Sequence, residues 1–182
     1  SRWMALGFVI LFMIVTLVFS PLISKKMGKR NASLLGMGVS ILGCLLVLIA
    51  GPNVALLFAG SSLTALGLGI PFGVSGAMFA DTVDYIEWKT GVRSPGLVYS
   101  ASSIGIKMGQ GLGGALGAAV LALGHYVPGA VQAASSLAAI RFNFAWAALI
   151  AVVIMTGILF FYPVDRLYPT IQEDLKARLK EI

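Results

Sequence analysis

Five apolar runs, each long enough to cross a lipid bilayer, dominate this sequence. About 20 predominantly apolar residues cross the hydrocarbon core as a helix. Runs of that kind occupy residues 5–23, 32–50, 54–80, 96–124 and 137–162. Short turn-forming or charged segments separate them: Ser24–Asn31, Gly51–Asn53, Asp81–Pro95 and His125–Ser136. Only 11% of the residues are charged and 58% are hydrophobic. A soluble domain carries about 25% charged residues, so the chain reads as an all-α integral membrane protein. Ser1-Arg2-Trp3 leads almost directly into the first span, so the chain also reads as part of something longer. Trp3 is placed as an interface anchor.

The charges give an orientation. Lys25, Lys26, Lys29 and Arg30 crowd the first loop. Lys89 and Arg93 lie after the third span, and Arg166, Lys176, Arg178 and Lys180 lie in the tail. The Gly51–Asn53 turn and the His125–Ser136 link hold neither lysine nor arginine. Basic residues collect in cytoplasmic loops, so the first loop, the Asp81–Arg93 segment and the C-terminal tail (164–182) are expected on the cytoplasmic side of a cell membrane. The net charge of +6 is explained in the same way and needs no nucleic-acid partner. Pro71 and its neighbouring glycines predict a kink in the third span. In the tail, Thr170 and Glu173 have capping-box spacing. Ile171, Leu175, Leu179 and Ile182 recur at helical spacing, which predicts a short amphipathic helix at the surface.

Within this apolar frame Lys107 stands out. It lies 11 residues past Gly96, roughly 16 Å along a helix and close to the bilayer midplane. A lysine there costs on the order of 3 kcal/mol on insertion scales. Tyr99, Ser103, Lys107 and Gln110 follow at i, i+4, i+8 and i+11 and share a helix face. That polar stripe suits a water-filled substrate or ion cleft. The competing reading is a set of interhelical hydrogen bonds with a buried acid as partner for the lysine. On another flank Gly105, Gly109, Gly113 and Gly117 recur every fourth residue, a spacing that lets a neighbouring helix pack closely. Asp81, Asp84, Glu87, Lys89 and Arg93 form either a solvated loop with weak surface ion pairs or a gate latch.

Enzyme chemistry finds no support. The one histidine, His125, sits in a link without metal-ligand spacing around it, and no nucleophile–base pair or phosphate-binding loop can be drawn. Cys44 lies in an apolar run and has no second cysteine to pair with. No cofactor and no metal site are expected.

The segment DTVDYIEWKTGVR, followed by GLVYS and by Lys107-Met108-Gly109, resembles the glycoside–pentoside–hexuronide cation symporters of the major facilitator superfamily, the group that includes melibiose permease. The resemblance implies that the spans are helices 8–12 of a twelve-helix transporter, so that 1–163 is a partial C-terminal transmembrane domain. The N-terminal six-helix domain and helix seven would lie outside the sequence. It implies a sugar or glycoside substrate and a coupling cation (Na⁺, H⁺ or Li⁺) bound mainly by that N-terminal half. Lys107 matches a lysine of helix eleven that handles substrate and cation. Ser103 and Ile106 match cavity-facing positions, and Phe72 aligns with an aromatic near the end of helix ten. Asp81, Asp84 and Arg93 match the family's cytoplasmic ion pairs, with Glu87 beside them. Ile86 and Ser94-Pro95 depart from the family's pattern, the latter by losing an acid. The alternative is a five-span scaffold or assembly subunit without transport activity.

Overall fold

A computed structural model describes residues 9, 10 and 12–180. The described residues form helices and short links, with no strand. Helix α1 covers 12–27: a π-helical turn, Val15–Phe19, continues into Ser20–Met27. Then follow α2 (Lys29–Ile49), α3 (Val54–Thr90) and α4 (Pro95–Leu123). Helix α5 runs over 134–160, with a second π turn at Phe142–Trp146 between Ala134–Arg141 and Ala147–Phe160. The tail is α6 (Val164–Lys180). The apolar stretches of α2, α3, α4 and α5 are long enough to cross a membrane. The first predicted span, 5–23, lies partly outside the described residues; its remainder is helical.

The core is the seam between α2 and α3, and small residues build it. A Cβ added at Gly36 would lie 2.5 Å from the Gly67 carbonyl oxygen, and one at Gly43 would lie 2.5 Å from the Thr64 nitrogen. The backbones are therefore in direct contact, as small residues permit in membrane helices. Ser40, fully buried, donates to the carbonyls of Gly36 and Thr64, each at 3.1 Å. Helix α1 joins the seam where Ser20 donates to the Ile70 carbonyl at 2.9 Å, beside buried Pro71. Pro71 removes one backbone donor without ending α3, which stays helical on both sides of it.

The predicted third span ends at 80, but α3 continues ten residues further, to Thr90. The charged segment is thus largely helix rather than loop. Two features explain the extension. Asp81 is neutralised from outside the segment, as described below. Gly91 then closes the helix at φ 75°, its N–H donating to the Glu87 carbonyl, the left-handed stop that glycine adopts without strain.

The capping-box expectation for Thr170 fails as well. Helix α6 already begins at Val164 and passes through Pro169, so Thr170 is interior. Its apolar stripe faces protein: Ile171 is fully buried. Leu179 and Ile182, the end of that stripe, lie where no side chain is described.

Helix α4 is the outlier. Of its 29 residues only Val98 is buried. It touches its neighbours near its two ends, through Phe79–Tyr99 edge contact at 6.4 Å and through Asn143, which donates to the Gly117 carbonyl at 2.9 Å.

Candidate functional site

Lys25, Lys26, Lys29 and Arg30, expected in a loop, lie instead in the helical turns either side of Gly28, and that end of the bundle carries a dense polar cluster. Lys29 places its Nζ 2.7 and 2.5 Å from the two carboxylate oxygens of Asp81. The Asp81 side chain is 3% exposed and that of Lys29 26%. The sequence reading pairs Asp81 with the charges of its own segment; the structure gives it to a lysine 52 positions earlier. The Lys29 ammonium also lies 4.9 Å from the centre of the Tyr168 ring. Next to it, Arg30 is anchored three ways. Its backbone N–H donates to Asp165 at 2.9 Å, its Nε to the Leu159 carbonyl at 3.3 Å, and its Nη2 to the Phe160 carbonyl at 2.5 Å. Gly28 makes this approach possible: its φ is 84°, and a Cβ there would lie 2.6 Å from an Asp165 oxygen.

Arg93 does assemble with acids of its own segment, at 3.1 Å from Asp84 and 2.6 Å from Glu87. Those bonds, that to Glu87 first, push the Arg93 pKa up from its ordinary value. The guanidinium is 59% exposed, so these pairs are weak fasteners. Asp84 is held from its other side by Gln172, at 3.1 Å, and Gln172 donates also to Tyr168 at 3.1 Å. Trp88 donates its indole N–H to Asp174 at 2.7 Å. Burial, then the negative charges of Asp81 and Asp84, push the Tyr168 phenol pKa upward. Four predicted gate residues thus divide between two sets. Asp84, Glu87 and Arg93 form one, and Asp81 joins Lys29 in the other. The tail residues Asp165, Tyr168, Gln172 and Asp174 complete the cluster. Reading by sequence position does not reach them, since Asp165 lies 135 residues from Arg30, Gln172 88 from Asp84 and Asp174 86 from Trp88.

The midspan candidates lie apart from this cluster. Tyr99, Ser103, Lys107 and Gln110 are all exposed along α4. Among the described residues Ser103, Lys107 and Gln110 have no hydrogen bond or ion pair. Ile106 is 55% exposed and Phe72 67%, the latter against the Phe12 ring at 5.8 Å. Helices α3 and α4 run back from the same link, and Phe79 meets Tyr99 near it. Seven residues beyond each, about 10 Å along each helix, lie Phe72 and Ile106, which places them and Lys107 at similar depth.

Among the described residues the glycine stripe meets a neighbour only at Gly117. A Cβ at Gly105, Gly109 or Gly113 would meet no atom within 4 Å, and at Gly117 only Asn143, at 3.9 Å. The close helix packing expected of these residues is therefore not made within the described chain; the small-residue seam is α2 on α3. Asn143, the polar residue that ties α4 to α5, is a further contact that the span-by-span reading passes over.

Comparison with known proteins gives the family. The profile of the MFS/sugar transport protein family matches residues 2–166. The chain belongs to that family. Its relatives include an isoprimeverose transporter of Lactiplantibacillus pentosus, 38% identical over 168 residues, which cover 91% of this chain and 35% of that protein. The uncharacterized symporter YjmB of Bacillus subtilis (strain 168) is 35% identical over 124 residues, 68% of this chain and 27% of that protein. A glucuronide carrier protein homolog of Escherichia coli (strain K12) is 31% identical over 170 residues, 91% of this chain and 37% of that protein. The chain thus spans about a third of the length of these relatives. No solved structure matches it. The family is one of transport proteins rather than enzymes, and the fold is that of an all-α membrane protein.

Proposed function

We propose that this chain is the C-terminal part of a cation-coupled sugar or glycoside symporter that works by alternating access. One observation carries the reading: Lys107 lies midway along a spanning helix and, among the described residues, it, Ser103 and Gln110 have no hydrogen bond or ion pair. Hydrocarbon is a poor environment for an ammonium group, so the face they share requires water, substrate or a further protein surface. In transporters of inverted-repeat design the substrate lies near the midplane between two helical halves. Helices α1–α5 would be helices eight to twelve, with the tail cytoplasmic. The open side of α4 would face the N-terminal six helices, which would hold most of the coupling-cation ligands. The names of the relatives favour a sugar or glycoside as substrate.

Lys107 would contact substrate or respond to the cation. Ser103, Tyr99 and Gln110 would line the pathway with it, and Ile106 and Phe72 would supply apolar contacts at that depth. Asp84, Glu87 and Arg93 would form the exchangeable part of a cytoplasmic gate, since Arg93 is exposed and its bonds can re-form with other partners. Asp81 would act as a fixed brace.

Lys107→Ala in the full-length protein tests the central role. Accumulation should be abolished while membrane insertion stays normal; coupled uptake at the parent rate would overturn the assignment. The open glycine flank favours a second reading, a scaffold that docks another helix there and shields Lys107. It predicts no aqueous access at Ser103 or Gln110.

A further inference from the structure

At the end of the bundle opposite Lys25–Arg30, a cavity of about 380 Å³ opens between α2, the α2–α3 turn, the start of α3 and α5. Val47, Leu48, Leu57, Phe144 and Trp146 supply apolar walls, and Arg141 supplies the charge. We propose that this groove binds an anionic phospholipid of the adjacent leaflet. Arg141 would hold the phosphate, and one acyl chain would lie along the α2–α5 wall. The inference rests on the membrane-spanning fold and not on transport.

Four observations support it. Arg141 is exposed and, among the described residues, has no ion pair or hydrogen bond. It lies seven residues into α5, about 10 Å along the helix, and shares the cavity with Gly51 of the turn that ends α2. Gly51 belongs to the polar turn between two spans, so Arg141 lies toward that end of the bundle and not at midspan. The π turn Phe142–Trp146 starts directly after it. Bonding from i to i+5 brings Arg141 and Trp146 onto one face, so a guanidinium and an interfacial indole border the same groove. Finally, the neighbouring Ile49 and Val54 are 77% and 73% exposed, an apolar rim suited to lipid. A guanidinium grips phosphate through paired N–H donors, and one basic side chain near a membrane surface adds about 1 kcal/mol of attraction for anionic lipid. A free sugar would find few polar partners on these walls.

The intact protein that carries this chain, purified in detergent, can be titrated with dioleoylphosphatidylglycerol or dioleoylphosphatidylcholine and read by native mass spectrometry. One phosphatidylglycerol should be retained in preference to phosphatidylcholine. Arg141→Gln should weaken its retention about fivefold, and Arg141→Lys should keep part of the preference. Leu57→Trp, which fills the groove and leaves the charge, should lose the same lipid, and it carries the comparison if Arg141→Gln does not purify. Equal retention of both lipids by the parent protein, unchanged retention in Arg141→Gln, or displacement by millimolar inorganic phosphate would each overturn the proposal. Because retention is read without substrate, a loss of transport does not affect the result.

Discussion

The Lys29–Asp81 pair offers the sharpest energetic test, because its two members are buried unequally. Asp81 is 3% exposed at the side chain; both of its oxygens accept from Lys29, and the neutral Tyr168 phenol is a further polar neighbour. Lys29→Met would strand that carboxylate. Breaking a buried pair from one side costs about 3–5 kcal/mol, and Asp81 belongs at the upper part of that range. Asp81→Asn leaves the lysine instead. Lys29 is 26% exposed and lies against the Tyr168 ring, so it can turn to water and keep a cation–π contact. Its loss should be smaller, about 1–3 kcal/mol. Replacing both, as Lys29→Met with Asp81→Leu, removes both desolvation penalties and should return stability to within about 1 kcal/mol of the parent. Chemical unfolding of the full-length protein in detergent, followed by tryptophan fluorescence, reads all three variants. Equal losses in the two single variants, or a double variant as unstable as the sum of the singles, would refute the argument that burial of Asp81 dominates.

Three further outcomes follow from the same contacts. Gly43→Leu should separate α2 from α3, because its Cβ would lie 2.5 Å from the Thr64 nitrogen. A cost at or above the usual 1–3 kcal/mol of overpacking should appear as reduced yield and a lower unfolding midpoint. Gly109→Ala meets no atom within the described chain, so α4 itself should gain about 0.5–1 kcal/mol; lost transport with normal insertion in the full-length protein would place another helix on that flank, and normal transport would leave it open. Tyr168 has its phenol pKa raised, first by burial and then by Asp81 and Asp84. The docked tail therefore keeps its proton longer than the free tail, whose phenol titrates near 10. That stabilisation is complete below about pH 10 and is lost as pH rises through the higher docked value. Hydrogen exchange in α6 should accelerate over that interval, and Tyr168→Phe should remove the step.

The long helices α2 to α5 were legible because each rests on a local property, a run of apolar residues bounded by Pro, Gly or charge. Pro95 and Gly124 bracket α4 within a residue of the expected limits. The extension of α3 through Asp81 to Thr90 was not legible, because the residue that neutralises Asp81 lies 52 positions away. Gln172–Asp84 and Trp88–Asp174 are hidden for the same reason. The two glycine patterns show the limit from the other side. Gly105, Gly109 and Gly113 have ideal spacing, yet among the described residues a Cβ at any of them would meet nothing within 4 Å. The actual seam uses Gly36 and Gly43 against Gly60 and Gly67, and its partners are matched across helices, which a single-helix pattern does not encode. Arg141 escaped notice inside an apolar run whose average conceals one charge.

The polar face of α4 decides between a substrate pathway and a shielded helix contact, and labelling reads it directly. Single cysteines at Ser103 and Gln110, in the full-length protein with Cys44 replaced, can be challenged with a membrane-impermeant maleimide. The lipid-side control is Leu112, exposed on the same helix. A water-filled substrate pathway predicts modification at 103 and 110, protection by transported sugar, and little reaction at 112. Unreactive cysteines at 103 and 110, or labelling that sugar leaves unchanged, would contradict it.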